Sequence, residues 1–442
     1  MTVRSVVGRG DHPSDRIASR STWLLLGKYL QMGAGFLFWI VVARNADVTQ
    51  VGLAAATASA VILCSQLSIF GAGSAVIVAL GRDEEPRRVL DAALTLVLGT
   101  SVMAGSGYLT VVLTIGTGAG STVDPWALFA VVPVAVISGT AIICIDQASL
   151  ALHHSEASVI RYGCGGLVSL AAVAALAAGS SSLDVAAIVA CWALGSLVAC
   201  GLGALQLRRW IDYRYRPSLK LSALAAVIRR GLPNHLLTLT ERLPPALVPL
   251  LLAYVASPEA TAYWYPAWMM AWVVLLASIN AGLVQFSDGV RAPDDLRRIV
   301  VHGLTSSLLL GSAGAVVLAL FAEQALGLMG PEYAAASTDA LRVLLLGVIP
   351  FAVLQGYFAI CRATDRVREG VALGGVSAVA ICGGTVLVGD SGPTVIAWVW
   401  VLGTAVPALW AAHRLRSVTV PATGRQSRPR AAPGPAVQVS HD

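Results

Sequence analysis

Charge is what this chain has least of. Of its 442 residues, 12% are Asp, Glu, Lys or Arg, and only Lys28 and Lys220 are lysines. A soluble domain carries about 25% charged residues. Half that share over this length leaves too little polar surface to face water. Cysteine is sparse as well. The seven cysteines (Cys64, Cys144, Cys164, Cys191, Cys200, Cys361 and Cys382) lie inside apolar runs without C-x-x-C spacing. That excludes a disulfide framework and a cysteine metal site, and leaves small buried hydrophobes. There is no P-loop, no G-x-S-x-G and no dinucleotide fingerprint. The start also lacks a cleavable-signal pattern. Met1 to Arg20 is polar, with Arg4, Arg9, Arg16 and Arg20, and the apolar run from Trp23 to Ala43 is too long for a signal core.

What the chain has is long apolar runs. Hydrophobic residues make up 56% of it, and its mean hydropathy is +0.74. The runs are roughly 20 residues long, enough to cross a ~30 Å hydrocarbon core. Twelve emerge, at about 22–43, 51–80, 89–113, 126–151, 159–178, 185–207, 232–255, 261–286, 299–321, 340–361, 371–389 and 394–412. Lipid cannot satisfy a backbone amide, and a barrel would show short alternating strands, so each run reads as a helix. Glycine pairs at Gly33 and Gly35, at Gly71 and Gly73, and at Gly165 and Gly166 suit close helix packing.

The net charge of +6 has a topological explanation in place of a nucleic-acid one. Alternate connections collect the basic residues. The first tail holds four, the 2–3 loop Arg82, Arg87 and Arg88, and the 4–5 loop Arg161. The 6–7 connection holds Arg208, Arg209, Arg214, Arg216, Lys220, Arg229 and Arg230. The 8–9 loop, the 10–11 loop (Arg362, Arg366 and Arg368) and the last tail complete the set. The opposite connections carry Arg44 alone, with Asp47, Asp124, Asp184, Glu259, Glu323, Glu332 and Asp390. By the positive-inside rule both termini are expected to be cytoplasmic.

The runs also repeat. Asp83-Glu84-Glu85-Pro86-Arg87-Arg88-Val89 in the 2–3 loop matches Asp294-Asp295-Leu296-Arg297-Arg298-Ile299 in the 8–9 loop. The expectation is an all-α polytopic membrane protein of twelve helices in two parallel six-helix halves around a central cavity. It divides into a cytoplasmic tail (1–20), a first half (21–207), a basic cytoplasmic or interfacial connection (208–231), a second half (232–416) and a disordered cytoplasmic tail (417–442). That architecture suits transport by alternating access, with no enzyme chemistry.

One stretch carries a family likeness. Leu24-Leu25-Leu26-Gly27-Lys28, then Gly35-Phe36-Leu37-Phe38-Trp39-Ile40-Val41-Val42-Ala43-Arg44, Val51-Gly52-Leu53-Ala54 and Ser68-Ile69-Phe70-Gly71-Ala72-Gly73 resembles the opening of Wzx-type polysaccharide flippases. These belong to the multidrug/oligosaccharidyl-lipid/polysaccharide flippase superfamily. The resemblance implies a V-shaped bundle with a cationic cavity. It further implies a cargo of polyprenyl-diphosphate-linked oligosaccharide, moved from the cytoplasmic to the outer leaflet of a bacterial cell membrane. Other polysaccharide-assembly membrane proteins would be partners. No cofactor is implied beyond an H⁺ or Na⁺ coupling ion. A drug/cation antiporter or a lipid II flippase is the alternative, and a membrane glycosyltransferase or polymerase a more distant one. The last usually needs catalytic acids on a large external loop, and no loop here is large.

Ionisable residues inside spans are functional candidates because burying them is costly. Arg242, midway along helix 7, grips phosphate in the bidentate geometry a diphosphate offers. Lys28 in helix 1 is a second phosphate ligand or snorkels to the interface. Arg44 and Arg342, near the external face, are placed to receive a headgroup or to anchor. Glu241 and Asp146 are candidates for ion coupling; the alternative role of Arg242 is a structural pair with one of them, and Glu241, its chain neighbour, points about 100° away on the helix. Pro244, Pro245 and Pro249 in helix 7, with Gly33 and Gly35 in helix 1, are candidate hinges. His153 and His154 lack metal-ligand spacing and read as a loop. Trp264, Trp268, Trp398, Trp400 and Trp410 read as packing or interface residues.

Overall fold

A computed structural model describes residues 13–80, 85–116, 125–152, 154–180 and 182–419. The first twelve residues, Asp83, Glu84, Asp124, His153 and the tail beyond 419 lie outside the described residues, with the expectations attached to them. The first half is α1 (Pro13–Asn45), α2 (Val48–Ser68), α3 (Ala72–Leu80), α4 (Pro86–Ile115), α5 (Pro125–Ala151), α6 (Ala157–Gly179) and α7 (Val185–Ile211). The second is α8 (Leu221–Val255), α9 (Pro258–Arg291), α10 (Leu296–Leu320), α11 (Ala322–Gly327), α12 (Pro331–Leu346), α13 (Val348–Ala363), α14 (Val367–Val388) and α15 (Pro393–Thr419). Among the described residues there is no strand. Among the described residues eleven helices are long and apolar enough to cross a membrane, and α12 with α13, bent by 44°, makes a twelfth when the bent pair is counted as one span.

The packing repeats between halves. α1 lies on α6 as α8 lies on α14, and α5 lies on α7 as α13 lies on α15. Several boundaries differ from the sequence reading. α1 begins at Pro13, so a helix enters the expected 1–20 tail. α8 begins at Leu221 and takes in part of the expected 208–231 connection. The expected single run 51–80 is two helices. It breaks where Phe70 (φ 40°) and Gly71 (φ 77°) enter the left-handed region, which a glycine adopts without strain and a phenylalanine does not.

Without a hydrophobic force between helices in lipid, spans associate through close packing of small residues. α2 shows this most clearly. Ala54, Ala55, Ala56, Ala58 and Ala60 are all buried, and 72% of this span is buried against 17% of α10. α2 is the seam: it packs on α8 and α9 of the other half. At one end a side chain on Gly52 would collide with the Pro258 carbonyl. At the other, the backbones of Gly71 and Gly231 touch, and a Cβ on either would collide with its partner. Gly33 and Gly35 do not serve this purpose, since nothing lies within 4 Å of where their side chains would start.

A strap joins the halves. From Asp212 to Lys220 the chain has no helix and is laced along α4. Tyr213 donates its hydroxyl to Asp91 Oδ1 at 2.8 Å, and the Arg216 N–H donates to the same oxygen at 2.9 Å. The Ser218 N–H donates to Thr95 Oγ1 at 2.9 Å. Burial, and then the bond to Asp91, raises the Tyr213 pKa, so this hydroxyl remains a donor at physiological pH. Beyond the strap, Val227 enters the first half's core beside Leu90, Val97 and Leu207.

Candidate functional site

The site is built where α1 and α9 face each other between the halves. On α1, Lys28, Met32, Phe36 and Trp39 fall on one face at helical spacing. Trp39 meets Tyr265 of α9 edge-on at 5.0 Å between ring centroids. Met32 and Phe36 pack against the second half's core together with Trp272. One turn further along that face, Lys28 lies within Coulombic range of Arg242, and of Asp146 in its own half. The Arg242 guanidinium sits 5.4 Å from the centroid of the Trp272 ring. Both cations are half-buried, and among the described residues no carboxylate or carbonyl oxygen is bonded to either. Trp272 escaped the sequence reading. Its signal is the four-residue spacing of Trp264, Trp268 and Trp272 on α9.

The carboxylates are differently placed. Glu241 pairs with Arg362 at 3.0 Å, with the two side chains 9% and 12% exposed. Asp146 pairs with Arg161 at 2.6 Å, and the Arg161 side chain is fully buried. Tyr162 donates its hydroxyl to the other Asp146 oxygen, and Arg161 also donates to Gln206. So each acid is paired with another arginine, and the alternative role of Arg242 as a structural partner of Asp146 or Glu241 is not what the structure has. Arg161 and Arg362, read from sequence as cytoplasmic loop charges, lie on α6 and α13 as partners of buried acids. Loop-edge arginines of both kinds look alike in a charge count.

The remaining candidates are spread out. Arg44 donates to the Leu328 and Gly327 carbonyls at 2.9 and 3.1 Å, so it caps the end of α11 across the seam. Thr49 donates to Glu259 and Tyr254 to the Gly116 carbonyl at 2.6 Å, both also between halves at that face. Arg342 contacts Asp339 at 3.6 Å and the Ala319 carbonyl at 3.5 Å on α12's exposed side. Pro244, Pro245 and Pro249 lie within α8, which runs unbroken through them. α1 likewise runs unbroken through Gly33 and Gly35. His154 stacks on Trp210 at 4.4 Å. Trp264, Trp268 and Trp400 are buried in packing, while Trp398 and Trp410 are exposed. Among the described residues no cluster of three or more His, Cys, Asp or Glu has metal-site geometry.

Each half also holds a small, partly open recess. One, of about 60 Å³, is lined by Gln31, Tyr162, Ser169, Trp192 and Ser196. The other, of about 30 Å³, is lined by Thr240, Glu241, Gln355, Ser377 and Thr404. These are rooms for a few waters, far below the 300 Å³ or more of a small-molecule pocket.

No protein-family model and no curated protein matches the chain. Solved structures do match. An inward-facing multidrug resistance MATE family transporter of the MOP superfamily aligns with a TM-score of 0.68 at 16% identity, over 88% of this chain and 95% of that one. An outward-facing structure of such a transporter aligns at 0.65 and 16%, over 93% and 97%. A MOP superfamily transporter from Pyrococcus furiosus, described as having a binding pocket of reverse polarity that suggests a different function, aligns at 0.61 and 16%, over 93% and 98%. The twelve spans, packed as two like halves of six, therefore have the fold of the MATE transporters of the MOP superfamily.

Proposed function

We propose that this protein is an alternating-access transporter for an anionic lipid-linked cargo, a polyprenyl-diphosphate oligosaccharide flipped across a bacterial cytoplasmic membrane. The fold supports transport, since solved transporters that share it are described in inward-facing and outward-facing conformations. The observation that carries the cargo class is a charge imbalance. Both in-span acids near the site are already neutralised, Glu241 by Arg362 and Asp146 by Arg161. Lys28 and Arg242 are left, one from each half. A cation exporter wants the reverse, open carboxylates and no free cation. A diphosphate offers oxygens in the spacing a guanidinium binds bidentately. The glycan would cross in a hydrated path while the polyprenyl tail stays in lipid.

Both termini are proposed to be cytoplasmic, on the basic face. The Arg44, Thr49 and Tyr254 contacts would then close the outer side. An H⁺ or Na⁺ would couple transport through Glu241 by competing with Arg362 for its carboxylate. Proteins of the same polysaccharide-assembly route are the proposed partners.

The test is translocation of a polyprenyl-diphosphate oligosaccharide by the purified protein in liposomes, against Arg242→Ala. Protein-dependent movement that collapses in the variant supports the reading. Movement that survives the variant keeps the activity and removes Arg242 from the path. No movement of lipid-linked glycans, with export of organic cations instead, transfers the protein to the multidrug class.

A further inference from the structure

The connection between the halves carries the largest net charge of any connection in the chain. Residues 208–230 hold seven cations and one acid, Asp212. That acid already faces Arg87 at 3.7 Å. Charge alone would be an ordinary basic loop. The geometry adds a depth. The strap starts on Asp91 and reaches Thr95. At 1.5 Å per residue, Thr95 lies about 10 Å further along this apolar span than Arg88, the basic residue near the start of α4. The chain passes that level as Leu219-Lys220-Leu221. Both leucines are 81% exposed, and Arg214, Arg216 and Lys220 are exposed beside them. Among the described residues none of these three side chains has a partner. Their backbone cannot swing out to water, because the N–H groups of Arg216 and Ser218 are bonded to α4.

Two apolar side chains flanking an ammonium at this depth match one kind of ligand. The leucines need acyl chains, and the cations need an anion directly above them. A soluble phosphate supplies only the second. We infer that the strap, through Arg214, Arg216 and Lys220 with Leu219 and Leu221, is a binding surface for anionic phospholipid headgroups of the leaflet on the basic face. Lipid bound there grips the segment on which α8 begins. It therefore holds the start of a helix that packs on both halves.

The experiment uses the full chain in a neutral detergent, with phosphatidylglycerol or phosphatidylcholine added, and counts bound lipid by native mass spectrometry. Phosphatidylglycerol should be retained preferentially. The triple variant R214Q/R216Q/K220Q should reduce that retention by roughly 100-fold, at about a fivefold loss per cation. The variant R297Q/R298Q/R368Q removes the same charge from the second half's basic face and should leave it intact. Equal binding of both lipids, or equal loss in both variants, would overturn the assignment. A reading independent of folding comes from hydrogen exchange on the wild-type chain. Protection of 212–231 by phosphatidylglycerol supports the surface. No protection, or the same protection by inorganic phosphate, rejects it.

Discussion

Glu241 on α8 and Arg362 on α13 form an ion pair at 3.0 Å. The first half also buries an acid beside a cation of its first helix. Asp146 on α5 lies within Coulombic range of Lys28 on α1. In the first half a second arginine, Arg161, takes the acid and leaves Lys28 unbonded.

Breaking the Glu241–Arg362 pair should destabilise the protein. Removing one partner of a buried pair leaves an uncompensated charge, at about 3–5 kcal/mol. Arg362→Gln is expected to lower the unfolding temperature in detergent clearly. Glu241→Gln combined with it should recover part of the loss. A double variant whose loss equals the sum of the two singles would mean the residues are not coupled.

Arg242 should matter to transport more than to stability. Arg242→Ala is expected to reduce translocation about 100-fold, and Arg242→Lys about 10-fold, since lysine keeps the charge and loses the fork. Trp272→Ala removes a cation–π contact of about 1 kcal/mol, so its effect should stay near fivefold. Translocation rates in liposomes, normalised to folded protein, give the comparison.

Thr49 and Glu259 join α2 to α9 across the seam. A Thr49→Cys, Glu259→Cys pair in a cysteine-depleted background should cross-link readily. If the halves part at this face during the cycle, the oxidised protein stops translocating and reduction restores it. Full transport in the oxidised protein would make this contact a permanent part of the fold.

Glycine substitutions should divide into two groups. Gly71→Ala and Gly231→Ala insert a methyl into a backbone contact, and Gly71 also sits at positive φ. Each should cost roughly 1–3 kcal/mol. Gly33→Ala and Gly35→Ala meet open space and should be neutral or slightly stabilising in a helix. If they slow transport without changing the unfolding temperature, α1 bends there during the cycle.

Much of the fold was legible because lipid imposes one pattern, a run of apolar residues per span. The twelve runs correspond to the eleven long helices and the α12–α13 pair. The breaks at Phe70-Gly71 and at Gly347 were not legible. Both stretches stay apolar through the break, so hydropathy has no signal there. The site was legible as single residues and not as pairs. An arginine at a helix end counts as a loop charge whether it is exposed, as Arg368 is, or turned inward to an acid, as Arg362 is. Which it does depends on a carboxylate more than a hundred residues away. Trp272 was hidden for a similar reason: apolar positions around it on α9 made it one more lipid or packing residue.

The repeat invites one to think of the two halves as separable pieces, and the cores say otherwise. Val227, numbered with the second copy, fills the floor of the first. Met329 and Tyr333 are inside a core of the first half, and Met32 and Phe36 rest on the second's. Cutting the chain in the strap would strip each fragment of residues that it no longer encodes. Each half is completed by side chains that the other half supplies, so neither is a folding unit alone.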